Sequence, residues 1–196
     1  MDDFVEPRFV PAPDLIAWAT DTFIRKDSPL HNPDHAHLEY ATLGVLWTNV
    51  ANARNGRAIV GQCEMGMPRG TMGRWSRARA ERQILDWFGS VPDFILTFDA
   101  SYAMQAKDPE FCALIEHELY HAGQDRDPFG APKFTQDGRP VFGIRGHDIE
   151  EFIGVVARYG ANASGVQEMV KAAKQRAQIA EVRISQACGT CSLKAA

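Results

Sequence analysis

Two histidines four residues apart lie in a segment whose flanks predict a helix. Residues 117–121 read His-Glu-Leu-Tyr-His. On a helix, His117 and His121 project from one face, one turn apart, at a spacing that lets both imidazoles bind one metal ion. Glu118 is rotated by about 100° from His117, so its carboxylate is expected beside the metal site and not on it. The pattern therefore predicts a metal-binding helix.

The residues around this motif also favour a helix. Asp108, Pro109 and Glu110 are typical of a helix start, because Pro suits the first turn and acidic side chains interact well with the positive end of the helix dipole. Four apolar residues then recur at helical spacing and form one stripe: Phe111, Ile115, Leu119 and Ala122. Gly123 is a suitable residue at which the helix could end. We expect one side of this helix in a core; the alternative is an ordinary amphipathic helix whose histidines bind no metal.

Zinc is the metal that best fits neutral imidazole ligands with an acid next to an open coordination position. In such a site, zinc lowers the pKa of a bound water. Glu118 is then the general base that takes the proton of this water and passes it to the leaving amine. The motif thus predicts a zinc-dependent peptidase. The main alternative is a catalytically inert or structural zinc-binding protein.

Two histidines leave the zinc site one protein ligand short, and three kinds of candidate compete for that place. We favour His147, since it is the only histidine after the motif and is expected at the start of a second helix. Glu150 or Glu151 would instead complete a set of two histidines and one glutamate. Asp127 stands where an extended form of the motif has its last ligand, but Gly123 lies one position too early for that form.

Two kinds of supporting residue are expected near such a centre. A ligating histidine usually donates its second ring N–H to a carboxylate or a carbonyl, and the acidic candidates are Asp125, Asp148, Glu150 and Glu151. A group that stabilises the developing oxyanion is also expected, and the candidates are Tyr102, Tyr120, Tyr159 and Arg145. The sequence does not rank these residues, and each of them is equally suited to a structural role.

Other histidines and the cysteines offer weaker signals. His31, His35 and His37 lie close together, and the last two would share one side of a strand, which allows a second metal site. No carboxylate or thiol lies at ligand spacing, so we expect loop and packing roles instead. The four cysteines are Cys63, Cys112, Cys188 and Cys191. We expect all four to be reduced thiols, and we expect no function for the C-x-x-C motif that Cys188 and Cys191 form.

The periodicity of the whole chain predicts an α+β fold with a small, mostly antiparallel sheet and several helices. We expect one domain over residues 1–185 and a short tail over 186–196. The predicted helices cover 13–26, 74–88, 108–123, 146–160 and 164–184. The predicted strands cover 42–50 and 57–64, joined as an antiparallel pair by an Asn-Gly turn, then 93–99 and 141–144. The strand at 93–99 is a candidate edge strand on which a peptide substrate could pair.

Composition limits the partners. The formal net charge is −4, so no global field favours nucleic acid or an anionic membrane. An arginine-rich stretch from Arg69 to Arg82 is expected to be a solvated helix face, with contact to DNA as the alternative. No apolar run is long enough to cross a membrane, and the acidic start differs from a secretory signal, so we expect a cytoplasmic protein.

Several blocks of the sequence resemble the family of putative phage metallopeptidases, which are encoded in phage genomes and bacterial prophages. These blocks are residues 46–49, 75–79, 92–94, 111–121, 143–152 and 188–191. The resemblance covers most of the chain and implies a zincin-like fold and a peptidase in a bacterial host cell. The Gly146–His147 pair followed by an aromatic residue is also similar to SprT-like proteases, where a later histidine closes the metal site. This second similarity supports His147 and implies, as an alternative, a protease that acts on DNA-associated proteins.

Overall fold

The computed structural model describes residues 6–28, 30–54, 56–67, 73–149, 153–160, 166–177 and 187–188. Strands and helices are numbered along the chain. The main sheet has the order β1 (Phe9–Pro11), β2 (Leu43–Thr48), β5 (Phe94–Asp99), β4 (Arg57–Met65) and β3 (Asn52–Arg54), and β8 (Ala187–Cys188) also pairs with β4. A second sheet consists of β6 (Ala122–Gln124) and β7 (Phe142–Ile144).

The helices are α1 (Pro13–Ala19), α2 (Arg74–Phe88), α3 (Ala100–Gln105), α4 (Asp108–His121), α5 (Ile153–Tyr159) and α6 (Val166–Ala173). A π-helical turn, Thr20–Ile24, extends α1, and a 3-10 helix spans Pro33–Tyr40. In the part of the chain that the structure describes, none of these helices has the length and apolar character needed to cross a membrane.

The prediction of an α+β fold with a mostly antiparallel sheet is confirmed. The pairs β1–β2, β3–β4, β4–β5 and β6–β7 are antiparallel, whereas β2–β5 and β4–β8 are parallel. The prediction that residues 42–50 and 57–64 pair with each other is wrong, because β5 lies between β2 and β4. Strand β4 pairs instead with the short strand β3, with Arg54 opposite Arg57. A turn signal determines only the pairing of the segments directly on either side of it. Strand β2 pairs instead with β1 and β5.

The hypothesis that residues 93–99 form an edge strand is also wrong. Strand β5 pairs with β2 over Phe94–Asp99 and with β4 over Phe94–Phe98. Both of its edges are therefore occupied, and a substrate backbone has no donor or acceptor to pair with. The strand serves as the centre of the sheet, which explains why it is so rich in large apolar residues.

The two faces of the sheet bury different helices, because successive side chains of a strand point to opposite sides. On one face, Leu96 and Phe98 belong to the same buried cluster as Ile115 and Leu119 of α4. On the other face, Ile95 belongs to a smaller cluster with residues of α2. Burying each such side chain contributes about 1.5–3 kcal/mol to folding. The helix that carries the His-Glu-x-x-His motif is thus packed firmly on the centre of the sheet.

Helix boundaries agree with the sequence where packing is regular. The helix predicted at 74–88 is confirmed as α2, and α4 begins at Asp108 as expected. The helix predicted over 164–184 is too long, because α6 ends at Ala173 and residues 174–177 are exposed without helical structure. The domain boundary at residue 185 stays a prediction. Of the C-x-x-C motif, only the backbone of Cys188 lies among the described residues.

Candidate metal centre

Three histidine side chains converge at the C-terminal end of α4. The Nε2 atom of His117 lies 3.2 Å from Nε2 of His121 and 3.2 Å from Nε2 of His147. One donor atom from each of the three lies within 4.8 Å of the other two. Ligand atoms around a tetrahedral zinc ion are about 3.3 Å apart, given bonds of about 2.0–2.1 Å. The three imidazoles thus fit a single metal ion that keeps one coordination position open.

Exposure increases across this group of histidines. His121 is buried, His117 is half-buried and His147 is exposed. Two of them come from α4, where their spacing of four residues places them on one face, as the sequence predicts. The gradient from buried to exposed gives the centre an inner side at His121 and an outer side at His147.

His147 reaches the centre by a different route from the one predicted. The residues from Arg145 to Ile149 are not helical, so the prediction that a helix start holds His147 is wrong. Instead, β6 continues directly from α4 and pairs with β7, with Ala122 opposite Ile144. This antiparallel pair returns the chain to the end of α4, three residues before His147. The hairpin, and not a second helix, brings the third imidazole to the other two.

The orientation of His121 is set by a backbone carbonyl. Its Nδ1 lies 2.7 Å from the carbonyl oxygen of Arg145. Because a carbonyl oxygen can only accept, Nδ1 carries the proton and Nε2 presents its lone pair to the other two imidazoles. This is the arrangement that usually orients a metal-binding histidine. The sequence suggested acidic side chains as partners of this nitrogen. It could not identify the carbonyl of Arg145, because every residue has a backbone carbonyl.

The acidic residues proposed for that role have other positions. Asp148 pairs with the guanidinium of Arg145 at 2.6 Å. The carboxylate of Asp125 lies against Gly143 of β7, where a Cβ atom would come 2.1 Å from Oδ1. Glu150 and Glu151, the acidic alternatives for the third ligand as well as for this role, lie outside the described residues.

Asp127, another candidate for the third ligand, is engaged in a turn. Its Oδ1 accepts hydrogen bonds from the backbone N–H groups of Phe129 and Ala131, at 2.8 and 2.9 Å. This pattern is typical of an aspartate that closes a tight loop. Its carboxylate therefore stabilises the loop after β6 and does not belong to the group of three histidines.

Burial keeps His117 in the form that binds metals. Desolvation, and then the positive charges that His121 and His147 would carry, lower the pKa of His117 to about 4. At neutral pH this imidazole is therefore uncharged. Since only a neutral imidazole nitrogen can coordinate a metal ion, no proton has to be displaced from it on binding.

Glu118 is fully buried and lies against strand β4. A Cβ atom added to Gly61 of that strand would come 2.8 Å from Oε1 of Glu118 and 3.0 Å from Cδ1 of Leu114. The absence of a side chain at Gly61 is therefore what makes room for this carboxylate. A glycine inside a strand pattern often marks such a close approach, and this signal was present in the sequence.

Two of the four candidates for oxyanion stabilisation lie at the centre. Tyr120 and Arg145 line the same cleft as the three histidines, together with Ile149 and Met169. Tyr102 packs against the core, and Tyr159 is exposed beneath the guanidinium of Arg158. Of the four candidates, Tyr120 and Arg145 therefore line the cleft, and Tyr102 and Tyr159 do not.

Tyr120 is held by a polar network behind the cleft. Its hydroxyl accepts a hydrogen bond from Nδ2 of Asn32 at 2.8 Å and donates one to Oδ2 of Asp34 at 3.2 Å. Burial, the largest cause, raises the pKa of this hydroxyl, so it stays protonated. The guanidinium of Arg145 lies 5.5 Å from the centre of the Tyr120 ring, a cation–π distance. Tyr120 therefore positions Arg145.

The earlier group of histidines does not form a metal site. Residues 33–40 form a 3-10 helix, so the prediction that His35 and His37 lie on a strand is wrong. Nε2 of His37 donates to the carbonyl oxygen of Ala122 at 2.7 Å, and His35 is buried against the ring of Tyr120. Among the described residues, only the three histidines at the end of α4 form a group of metal-ligating side chains.

The arginine-rich helix and the described cysteine side chains lie away from the centre. Helix α2 packs on the face of the sheet opposite α4, and Arg82 pairs with Asp86 of the same helix at 2.8 Å. Cys63 is a buried thiol of the core. Burial, and then the charge of Asp108, raise the pKa of the Cys112 thiol, which favours its protonated and unreactive form.

Comparison with known proteins identifies a family for this chain. The profile of a protein family described as "Putative phage metallopeptidase" matches residues 16–174. This region contains the three converging histidines and Glu118. No curated protein and no solved structure matches the chain significantly.

Proposed function

Since the chain belongs to this phage metallopeptidase family, we propose that it is a zinc-dependent peptidase whose metal ligands are His117, His121 and His147. The observation that carries the proposal is the convergence of three Nε2 atoms at distances that suit one tetrahedral ion. Neutral nitrogen donors and an open fourth position are the chemistry expected of catalytic zinc, which supports zinc over harder metals.

When bound, zinc would act as a Lewis acid toward the peptide carbonyl and lower the pKa of a water molecule. Glu118 would be the general base: its carboxylate accepts a proton from the attacking water and returns it to the nitrogen of the leaving amine. Its place directly after His117 on α4 supports this role, because one residue along a helix sets its carboxylate beside the proposed metal position.

Arg145 is the group that we propose to stabilise negative charge on the substrate oxygen. Tyr120 lines the same cleft, but its hydroxyl already donates to Asp34. Among the residues that the structure describes, Arg145 forms an ion pair with Asp148, and a guanidinium has five N–H donors in all, so donors remain for a substrate. Proteins are the substrate class that a peptidase of this kind would cleave.

Replacement of the general base tests this proposal. We expect zinc-loaded wild type to cleave a mixture of fluorogenic peptides, and Glu118→Gln to lower kcat by about 10²–10⁴-fold while metal content stays the same. Glu81→Gln is the matched control, since Glu81 is an exposed residue of α2. Equal rates for Glu118→Gln and wild type would contradict the role of Glu118.

The alternative of an inert or structural zinc site makes the opposite prediction. In that case wild type containing one zinc per chain would cleave none of the peptides, although His147→Ala would still lose the metal. The SprT-like alternative adds a DNA-associated substrate. It requires that substitution of Arg77 and Arg79 on α2 reduce a salt-sensitive shift of DNA.

A further inference from the structure

A second cleft adjoins the metal centre and shares Tyr120 and Arg145 with it. Its volume is about 390 Å³, which exceeds that of a single amino-acid side chain. The loop after β6 and the 3-10 helix form its walls, with Asp34, His35, Gln124 and Arg126 among the lining residues. Polar groups therefore line a space next to the proposed site of peptide hydrolysis, and the proposed mechanism has no role for these four residues.

His35 marks this cleft as a built site. The side chain is fully buried, and neither ring nitrogen has a hydrogen-bond partner among the described residues. The nearest carboxylate oxygen, Oε1 of Glu116, lies 3.9 Å from Nε2, which is too far for a hydrogen bond. Burial of a polar group without a hydrogen-bond partner is unfavourable. A ligand that hydrogen-bonds His35 would remove this penalty.

His35 is a neutral hydrogen-bond donor. Burial, and then the charge of neighbouring His37, lower the pKa of His35 to about 4, although Asp34 opposes this shift. At neutral pH the ring therefore carries one N–H group and one lone pair. It can donate to an anionic oxygen without bringing a second buried charge into the cleft.

Arg126 gives the cleft its available positive charge. Asp34 already accepts from the hydroxyl of Tyr120, and Arg145 pairs with Asp148. Within the described part of the chain, Arg126 has no carboxylate within 4.0 Å. Its Nη1 donates to the carbonyl oxygen of Gly130 at 2.7 Å, which holds the side chain in place and leaves its other N–H groups for a ligand.

We propose that this cleft binds a carboxylate of the peptide substrate, with Arg126 as its charged partner and His35 as its buried donor. The proposal rests on the proposed function, because it takes the ligand to be part of the substrate. Since the clefts share Tyr120 and Arg145, the carboxylate lies close to the cleaved bond along the peptide. Its source is an acidic side chain or the free C-terminus.

Peptide binding to a catalytically blocked protein tests this carboxylate site. Zinc-loaded Glu118→Gln would be titrated with four fluorescein-labelled alanine heptapeptides, and binding followed by fluorescence anisotropy. The peptides carry one internal Glu or Gln, and end in a free acid or an amide. We expect about tenfold tighter binding for Glu over Gln, or for the acid over the amide, because a charge-assisted pair is stronger than a neutral hydrogen bond. A difference in affinity between the Glu and Gln peptides would identify an acidic side chain as the ligand, and a difference between acid and amide would identify the free C-terminus.

Arg126→Gln should abolish this discrimination, whereas Arg139→Gln should retain it, since Arg139 is an exposed arginine of the same loop that does not line the cleft. Equal binding of all four peptides to Glu118→Gln would overturn the proposal, as would unchanged discrimination in Arg126→Gln. Hydrolysis by wild type separates this failure from that of the proposed function. If wild type cleaves all four peptides at one rate and Glu118→Gln binds them equally, only the carboxylate site is refuted. If Glu118→Gln binds the peptides with different affinities but wild type cleaves none of them, the peptidase proposal is refuted.

Discussion

His121 and Arg145 are joined by two hydrogen bonds in opposite directions. The Nδ1–H of His121 donates to the carbonyl oxygen of Arg145 across 2.7 Å, and the backbone N–H of Arg145 donates to the carbonyl oxygen of His121 across 2.9 Å. The first bond orients an imidazole, and the second extends the β6–β7 pairing. Because His147 follows Arg145 by two residues, the same contacts that orient the second proposed ligand also place the third.

Metal content separates the candidates for the third ligand. We expect about one zinc per chain in wild type and a large loss in His147→Ala, because two imidazoles alone bind zinc much more weakly than three. Glu151→Ala should keep its zinc. Elemental analysis of the purified proteins measures this, and loss of zinc from the Glu151 variant alone would require a site of two histidines and a glutamate.

Gly61→Ala should impair catalysis without removing the metal. The new methyl group would come 2.8 Å from Oε1 of Glu118, so that this carboxylate must move. We expect kcat to fall by at least about tenfold, since Glu118, the proposed general base, loses its alignment. Zinc content and the rate of peptide cleavage would be measured together. Gly154→Ala is the control, because no atom lies within 4 Å of a Cβ atom there, and an unchanged kcat in Gly61→Ala would contradict the prediction.

Gly66→Ala should destabilise the whole fold. A Cβ atom at this position would lie 1.7 Å from the carbonyl oxygen of Pro92, and backbone atoms cannot move aside as a flexible side chain can. The contact lies where the end of β4 meets the start of β5, since Gly66 also donates to the carbonyl oxygen of Asp93 at 2.9 Å. We expect the free energy of unfolding in urea to fall by about 1–3 kcal/mol or more. Gly73→Ala, where no atom lies within 4 Å, should change it little.

Acid should destabilise the protein partly through His35. The pKa of His35 falls from 6.5 in the unfolded chain to about 4 in the fold, so the unfolded state binds more protons between these values. Stability from this group is fully present above pH 6.5, and is lost as the pH falls from 6.5 toward 4. The loss is about 3 kcal/mol at most, from about 1.4 kcal/mol per pKa unit.

Urea unfolding of the metal-free protein at pH 7 and at pH 4.5 measures this effect. His35→Phe removes the titrating group and keeps a ring against Tyr120, so its stability should depend less on pH than that of wild type. The difference between the two pH dependences isolates His35, because the other histidines are common to both proteins. Parallel pH dependences would contradict the assignment.

The predictions made from local patterns agree best with the structure. The helix at 74–88 has the predicted bounds, the helix that begins at Asp108 starts where its start signals lie, and Ile115 and Leu119 are buried as their spacing predicts. A helix is built from contacts three or four residues apart, so a short window of sequence contains most of the information needed. Residues 94–99 also form a strand as expected, but their place in the sheet was wrong.

Pairings between distant segments could not be predicted in this way. Strand β5 lies between β2 and β4, and although its apolar residues indicate a buried strand, they do not identify which strands are its neighbours. The same holds for Gly61, whose place beside Glu118 depends on how α4 lies across the sheet. Such contacts result from the competition of all segments for burial, which acts over the whole chain.

The sequence by itself determined that His117 and His121 share one face of a helix with Glu118 beside them, because residue spacing and helix pitch alone decide this. Several blocks of the sequence also showed the resemblance to the phage metallopeptidase family. Only the tertiary structure decided how His147 joins them, because the β6–β7 hairpin that carries it is held by backbone hydrogen bonds. Every residue has the same backbone donor and acceptor, so their partners become visible only when the chain is folded.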